Sequence, residues 1–244
     1  MARTFGNAQS NYFKLVRGGA NYKPLLFSRA GQPVSCSILF KPSLLNERQG
    51  FLNAAFNSTN PSLLWDMSNA KILRCYSGAL DTGTLVPGIV VDEWIHLGFS
   101  WSVGGRLRYY AHGRTIGVSN LALGGVDTVG LALGTLDGSY FDVEIAGNLA
   151  EFGMWDAELN QAEWASLGRF GCPLGVRRRN LVAYTALTGQ GAVEADPCNG
   201  GLWTVVGTLT GVAHPPVSHA TIWKPYKAGA AAAAGNPWYA YAQQ

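Results

Sequence analysis

The chain is poor in charge. Of its 244 residues 18 are Lys or Arg and 15 are Asp or Glu, so charged residues make up 14%, against about 25% in an ordinary globular domain. The net charge of +3 is too small to point to nucleic acid or to an acidic membrane as a partner. So little charge leaves a surface that is either rich in Ser, Thr, Asn and Gly or covered by partners, and we read it as a sign of assembly. Cysteine is scarce as well. Cys36, Cys75, Cys172 and Cys198 form no C-x-x-C pair, which argues against structural zinc. Cys36 and Cys75 fall in strand patterns, where a small buried thiol is expected. Cys172 and Cys198 lie near loops, and whether they meet is left open. No apolar run is long enough to span a bilayer, and the alanine tract at 230–234 is short and weakly apolar. The opening MARTFGNAQSNYF has no apolar leader core, so the expectation is a chain made and folded in a cytoplasm.

Catalytic signatures are missing too. There is no G-x-S-x-G elbow and no Cys/His spacing for a nucleophile. Gly124-Gly125 lacks the lysine of a phosphate loop. The four histidines, His96, His112, His214 and His219, are scattered. His214 and His219 flank Pro215-Pro216 without a carboxylate cluster, so no transition-metal set is expected.

What the chain has is glycine, at 31 residues, and aromatics, at 11%, a composition suited to many short strands joined by tight turns. Strands are expected at Tyr12 to Val16, Leu25 to Phe27 and Phe51 to Phe56. Leu63 to Met67 and Lys71 to Ser77 read as a hairpin across Ser68-Asn69-Ala70. Trp94 to Trp101 and Leu107 to Ala111 flank Gly104-Gly105, and His112-Gly113 makes a second tight turn. LALG occurs at 121–124 and 131–134, and the second copy is read as a strand. The richest stretch runs from Ile145 to Gly171. Leu149, Glu151, Gly153 and Trp155 alternate with Ala150, Phe152 and Met154, a period of two. Asn160 stands three residues before Glu163, the spacing of a capping box, and Leu159 with Trp164 can close a hydrophobic staple. Gly168 is read as the helix stop, where a left-handed residue is wanted. Two sheets packed face to face suit this pattern.

This block resembles the end of a laminin-G-like, concanavalin A-like jelly-roll domain, in which a strand of the form G-x-(I/L)-A-E-hydrophobic-x-hydrophobic-W leads into a small helix and a G-x-P loop. Other segments are similar to the same family in order and spacing. PVSCSILFKP (33–42), with Val34, Cys36, Ile38 and Phe40 on one face, resembles an early strand. EWIHLGFSW (93–101) resembles the W-x-H strand, RLRYYAHGRTIG (106–117) the hairpin with His112 where Asn is usual, and NLVAYTALTG (180–189) the closing strand. The match covers roughly residues 10–215. It implies an all-β antiparallel β-sandwich jelly roll with one short helix near residues 160–168. Domain bounds are expected as an N-terminal segment 1–32 that packs on the sandwich or a neighbour, the sandwich at 33–212, and a C-terminal extension at 213–244.

Catalytic members of the superfamily carry an E-x-D-x-(x)-E constellation on one strand, where the carboxylates act as nucleophile and acid/base. Here Asp142-Val-Glu144 lacks the first carboxylate, so no enzyme is expected. Glu151 matches the family's A-E position, which implies a structural acceptor, and His96 its strand histidine, which implies a hydrogen-bonded interior group. Calcium is the family's commonest ligand. Asp81, Asp127 and Asp137 are expected in loops, yet none sits in a motif that matches, so no residue is assigned to a cation and no cofactor is expected.

Two functional readings follow. The first is a non-enzymatic structural protein of a virus particle, a bacteriophage capsid decoration or a tail or fibre component, assembled in the host cytoplasm. Major capsid or tail proteins and further copies of the chain would be its partners. The sandwich would be a rigid block. Trp238, Tyr239 and Tyr241, after the Ala/Gly tract, would form a docking arm with large contact area at low entropic cost. Arg177, Arg178 and Arg179, the sole charge run, would be a loop anchor for a neighbour's carboxylates. The alternative is a carbohydrate-binding, lectin-like module, with host glycans as partners and aromatics such as Trp65, Trp94, Trp101 or Tyr110 stacking on sugar rings.

Overall fold

The computed structural model describes residues 2–5, 12–16, 33–53, 63–77, 80–102, 104–121, 131–135, 145–188, 192–198, 200–207 and 209–218. Among them the strands are, in chain order, β1 (Ala2–Phe5), β2 (Tyr12–Val16), β3 (Val34–Pro42), β4 (Gln49–Asn53), β5 (Leu64–Met67), β6 (Ile72–Ser77), β7 (Leu80–Leu85), β8 (Ile95–Trp101), β9 (Arg106–Ala111) and β10 (Arg114–Asn120). They continue as β11 (Leu131–Leu133), β12 (Gly147–Trp155), β13 (Leu181–Thr185), β14 (Val193–Ala195), β15 (Leu202–Val206) and β16 (Thr210–Val212). The helix α1 (Gln161–Gly168) and two 3-10 turns, Pro173–Gly175 and Arg178–Asn180, lie between β12 and β13.

The strands form two sheets. The first has the order β10-β9-β8-β3-β12-β1-β16, with β13 also on β12, and the second the order β14-β15-β2-β11-β4-β5-β6-β7. The strand pairings are antiparallel. This is the jelly-roll sandwich with one short helix. Alternation builds the interior. Val34, Cys36, Ile38 and Phe40 of β3 meet Ile95, Leu97, Phe99 and Trp101 of β8, and all of them belong to one cluster with Phe51, Trp65, Met67 and Leu73 from the second sheet. Phe40, Phe51, Trp65 and Phe99 pass ring contacts across the gap at centroid separations of 5.0–5.2 Å, within the favourable range for edge-on and tilted aromatic pairs.

The sandwich reaches beyond the 33–212 bounds expected of it. β1 pairs with β12 and β16 in the first sheet, and β2 pairs with β11 and β15 in the second. β2 is the strand expected at Tyr12 to Val16, whereas β1, of four residues, carries too short an alternation to announce itself; each completes hydrogen bonding along an otherwise open edge. β12 accommodates two partners on one edge through a bulge. Arg3 to Phe5 of β1 pair with Leu149 to Gly147, and Leu181 to Thr185 of β13 pair with Trp155 to Phe152. The register against β3 slips between Ala150 and Gly153, and Glu151 sits at the slip with φ 52°, the left-handed conformation a bulge uses.

The expectation for Gly168 is corrected. It ends the helix, but the following residue, Arg169, is at φ −94° and is not left-handed; Phe170, one further on, is left-handed at φ 60°. Gly168 is needed for room. A Cβ there would lie 2.3 Å from the backbone of His112 and Gly113. Gly113, at φ +71°, would reciprocally meet the carbonyl of Trp164 at 2.4 Å. The tip of the β9–β10 hairpin thus rests directly on the helix backbone. Leu25 to Phe27 and the C-terminal residues 219–244 lie outside the described residues.

Candidate functional site

Helix α1 covers the outer face of the first sheet, and its placement follows from its cap and from Trp164. Asn160 caps it, accepting from the Ala162 and Glu163 amides at 2.9 and 3.0 Å, and the Glu163 carboxylate accepts from the Asn160 amide at 2.7 Å. That is the expected capping box. Trp164 lies over β8, where Gly98 leaves space: a Cβ at Gly98 would be 2.3 Å from the indole. The indole stacks on Tyr110 at 4.1 Å and 12°, and donates from Nε1 to Ser100 Oγ at 3.1 Å.

Beneath the helix lies a polar layer. The Ser35 hydroxyl donates to the Ala157 carbonyl at 2.7 Å and accepts from the Leu159 amide at 3.1 Å. Its one proton being used, Ser100, 2.8 Å away, donates to it. Ser35 thereby pins the backbone of the loop that precedes α1. His96 is the other member. The Gly113 amide donates to Nδ1 at 3.3 Å, so the ring proton sits on Nε2 and is donated to Ser37 Oγ at 3.0 Å. Burial, with His112 adding to it, pushes the His96 imidazolium down to about 3, so the ring is neutral. The Ser37–His96 pair has the reverse polarity of a nucleophile–base pair, in which Nε2 accepts the hydroxyl proton, and both residues are buried. It holds structure.

At the helix start this scaffold opens into a cleft of about 330 Å³ lined by Arg108, Tyr110, Thr115, Glu158, Leu159, Asn160 and Gln161. Arg108 and Tyr110 project from alternate positions of β9 on the outer face, with Val118 and Thr115 of β10 as their cross-strand neighbours. A register shift between Thr115 and Gly117 places Thr115 and Val118, three residues apart, on that same face. Arg108 is ion-paired with Glu158, and both side chains are about a third exposed, at 28% and 32%. The Gln161 amide donates to the Gly113 carbonyl at 2.9 Å and accepts from Thr115 Oγ1 at 3.5 Å. Burial raises the Tyr110 phenol, partly offset by Arg108 and by the Ser100 and Thr115 hydroxyls, so it remains a neutral donor and acceptor.

The charge run following the helix divides. Arg177, left-handed at φ 39°, donates from Nε to Glu163 at 2.8 Å and from Nη1 to the Glu158 carbonyl at 2.9 Å. Its fork is used within the chain, on the capping carboxylate and on the backbone of the cleft wall. Arg178 and Arg179 are exposed in the 3-10 turn after it. Trp238, Tyr239 and Tyr241 lie outside the described residues. So do Asp127, Asp137, Asp142, Glu144 and His219. Asp81 falls inside β7, not in a loop. Among the described residues no group of three His, Cys, Asp or Glu side chains is placed to hold a metal ion. Trp65 and Trp101 are fully buried and Trp94 is half-buried; Tyr110 lines the cleft, but it is itself buried and its ring is stacked on Trp164, so none of the four suggested aromatics offers a free ring face for a sugar.

Two further polar clusters are closed. Asp66, fully buried, accepts from Arg48, from Arg74 at 3.0 and 3.1 Å and from the Tyr76 hydroxyl at 3.5 Å. Glu151 accepts from the Tyr184 hydroxyl at 3.0 Å. His214 Nδ1 donates to the Pro215 carbonyl at 2.8 Å, and its Nε2 lies 3.2 Å from the other Glu151 oxygen without the alignment of a hydrogen bond. These contacts, with the parallel bridge between Gly171 and Ser218, hold residues 213–218 on the sandwich. The four cysteines are free thiols. Cys172 and Cys198 are both pushed up to about 12, first by burial and then by Glu151 and Asp196 respectively, so they are not thiolates at neutral pH.

No protein-family model matches the chain, and no curated protein matches it either. Among solved structures it is similar to a carbohydrate-binding candidate from Bacteroides ovatus, with 13% identity and a TM-score of 0.63 over 89% of this chain and 62% of that one. It is also similar to a heptameric SAP-like pentraxin from Limulus polyphemus, with 16% identity and a TM-score of 0.56 over 68% of this chain and 81% of that one. The chain thus spans less than two thirds of the length of the Bacteroides protein. At such identities the likeness is one of fold.

Proposed function

We propose that this sandwich is a carbohydrate-binding module and that the cleft at the start of α1 is its sugar site. The observation that carries the reading is the cleft's inventory. A guanidinium, a carboxylate, two amides, a hydroxyl and a phenol converge there, giving donors and acceptors in near balance, as polyhydroxylated ligands require. Their supports are fixed before any ligand arrives: Ser35 holds the 157–159 backbone, Asn160 and Glu163 close the cap, and Arg177 grips Glu158 from behind. Such preorganisation lowers the ordering cost of binding. The Bacteroides neighbour, described as a carbohydrate-binding candidate, supports the reading by analogy of fold. Binding without turnover is part of the proposal, because the buried Ser37–His96 pair faces the wrong way for catalysis. The reading of a particle-borne structural protein with capsid or tail partners rests on the low charge, the missing leader pattern, the fold analogy, the arm residues and the Arg177–Arg179 run, and draws on none of these cleft observations.

The test is binding of the full chain to an immobilised panel of neutral and acidic oligosaccharides, followed by calorimetry on whatever binds. Saturable binding that Arg108→Ala abolishes, with thermal unfolding little changed, is the expected result. A chain that binds nothing on the panel, or an Arg108→Ala variant that binds as the parent does, would overturn the proposal.

A further inference from the structure

Beyond the cleft, the outer face of the β9–β10 ribbon continues as a row of paired side chains, and we infer that the ligand is a linear oligosaccharide running along it and not a single sugar. The inference rests on the carbohydrate reading and specifies the length and course of the ligand.

The register defines the row. Tyr110 is opposite Thr115, Arg108 opposite Val118, and Arg106 opposite Asn120. Cross-strand pairs share a face, so these three pairs are successive rungs on one side of the sheet. The first two flank the cleft and the third lies past it, toward the turn at Ser102 to Gly105. That turn is held by the Gly105 amide on the Ser102 carbonyl at 3.0 Å and by the Leu121 amide on the Gly105 carbonyl at 2.8 Å. The rungs repeat every two residues, about 6.7 Å, so the three span about 13 Å, more than one sugar ring covers.

Chemistry differs along the row in a way that suits a chain of rings. The first rung and the helix start offer hydroxyl, phenol and amide groups. The second offers the Arg108–Glu158 pair for hydroxyls and, across from it, the isopropyl group of Val118, 50% exposed. Val118 stands out because its neighbours Ile116 and Ser119 are engaged. Ile116 packs on the core, and Ser119 accepts from Thr82 Oγ1 of β7 at 2.6 Å. An exposed apolar side chain opposite an ion pair gives a ring one surface for its C–H face and another for its hydroxyls. The third rung, Arg106 and Asn120, both exposed, adds an amide and a second guanidinium. A monosaccharide occupies the cleft, between the first rung and the Arg108–Glu158 pair, and leaves Val118 and the third rung in water.

The experiment titrates the full chain with the mono-, di- and trisaccharides of four neutral series: glucose with cellobiose and cellotriose, glucose with maltose and maltotriose, galactose with its β-1,4 dimer and trimer, and N-acetylglucosamine with chitobiose and chitotriose. In the series that binds, the trimer is expected to bind at least about tenfold tighter than the monomer, the effect of one further well-made polar contact. The double variant Val118→Ser/Asn120→Ala, at exposed positions away from the core, should bring the trimer down toward the monomer while leaving the monomer unchanged. Equal affinity for monomer and trimer, or a trimer unaffected by the double variant, would overturn the oligosaccharide inference and leave the carbohydrate reading standing. Failure of every series, together with a silent oligosaccharide panel, would overturn both.

Discussion

On one face of β3 and β8 lie Val34, Cys36, Ile38, Phe40, Ile95, Leu97, Phe99 and Trp101; on the other lie Ser35, Ser37, Leu39, His96, Gly98 and Ser100. Alternation makes the first face the core and ordinarily gives the second to water. Here both are buried, with the four polar side chains of the outer face at 0–2% exposure, because α1 lies over them. The inner face is held by apolar burial and dispersion, which have no direction and tolerate exchange of like volumes. The outer face is held by a chain of single hydrogen bonds from Trp164 through Ser100 and Ser35 to the loop at 157–159, each with one donor and one acceptor in place. Both faces supply stability, the outer one through the Trp164 cluster, and the outer face also fixes the position of the cleft wall.

The largest effects should come from the aromatic that joins helix to sheet. Trp164→Ala is expected to cost about 3–5 kcal/mol in urea unfolding, the range for emptying a large buried site, and Phe99→Ala on the inner face should cost about the same. The comparison is sharpened by binding: at a temperature where both variants remain folded, Trp164→Ala should lose sugar affinity and Phe99→Ala should keep it. If both lose it equally, the outer layer has no special part in shaping the cleft. Gly98→Ala follows at about 1–3 kcal/mol, since its Cβ would meet the indole at 2.3 Å and the Cys36 carbonyl at 2.9 Å.

The next effect separates the two faces by pH. His96 is neutral when folded, with its value lowered to about 3, whereas in the unfolded chain it titrates near 6.5. Between these values the unfolded state holds a proton that the folded state does not. Stability from this group is therefore fully present above about pH 6.5 and declines as pH falls, by about 1.4 kcal/mol per unit. Unfolding at pH 7, 6 and 5 should show this slope. His96→Gln, which can still accept from Gly113 and donate to Ser37, should flatten it, and an unchanged slope in that variant would assign the acid sensitivity elsewhere.

How legible this was depended on range. β3, β8 and β9 carry five or more alternating residues, and their apolar sets point inward as the alternation implies; in β12 the bulge at Glu151 reverses the alternation, so that Leu149, Phe152 and Met154 join the core while Ala150 and Trp155 pack in the outer clusters. The capping box at Asn160 and Glu163 is a local signal and formed as spaced. β1 and β16, of four and three residues, have no period to read. The meaning of Ser35, Ser37 and Ser100 was hidden for another reason: in one strand a buried polar residue under a helix looks like a solvent-facing one. The cleft was the least legible feature. Arg108, Thr115 and Glu158 meet through the β10 bulge and the packing of α1 on Gly113, neither of which any local spacing encodes. Arg177 could be singled out as part of a charge run, but its partners, 14 and 19 residues before it, could not.

Two small effects test the positioning chain itself. Asn160→Ala removes an N-cap and should cost about 1 kcal/mol, with fraying of the first turn visible as faster amide exchange at Ala162 and Glu163. Arg177→Ala should cost less, under about 1 kcal/mol, because its pair with Glu163 is partly exposed, at 30% and 21%, and such pairs are weakened by solvent. Its worth lies in where it holds Glu158. With Nη1 gone the Glu158 carbonyl loses its donor, and the carboxylate facing Arg108 is no longer fixed from behind. Affinity for the bound oligosaccharide should then fall several-fold while the unfolding midpoint scarcely moves. Arg177→Lys should not restore it, since one ammonium cannot bond both the Glu163 carboxylate and the Glu158 carbonyl in the geometry of the fork. If Arg177→Ala lowers affinity only in proportion to stability, the residue is a surface ion pair and the outer face positions the cleft without it.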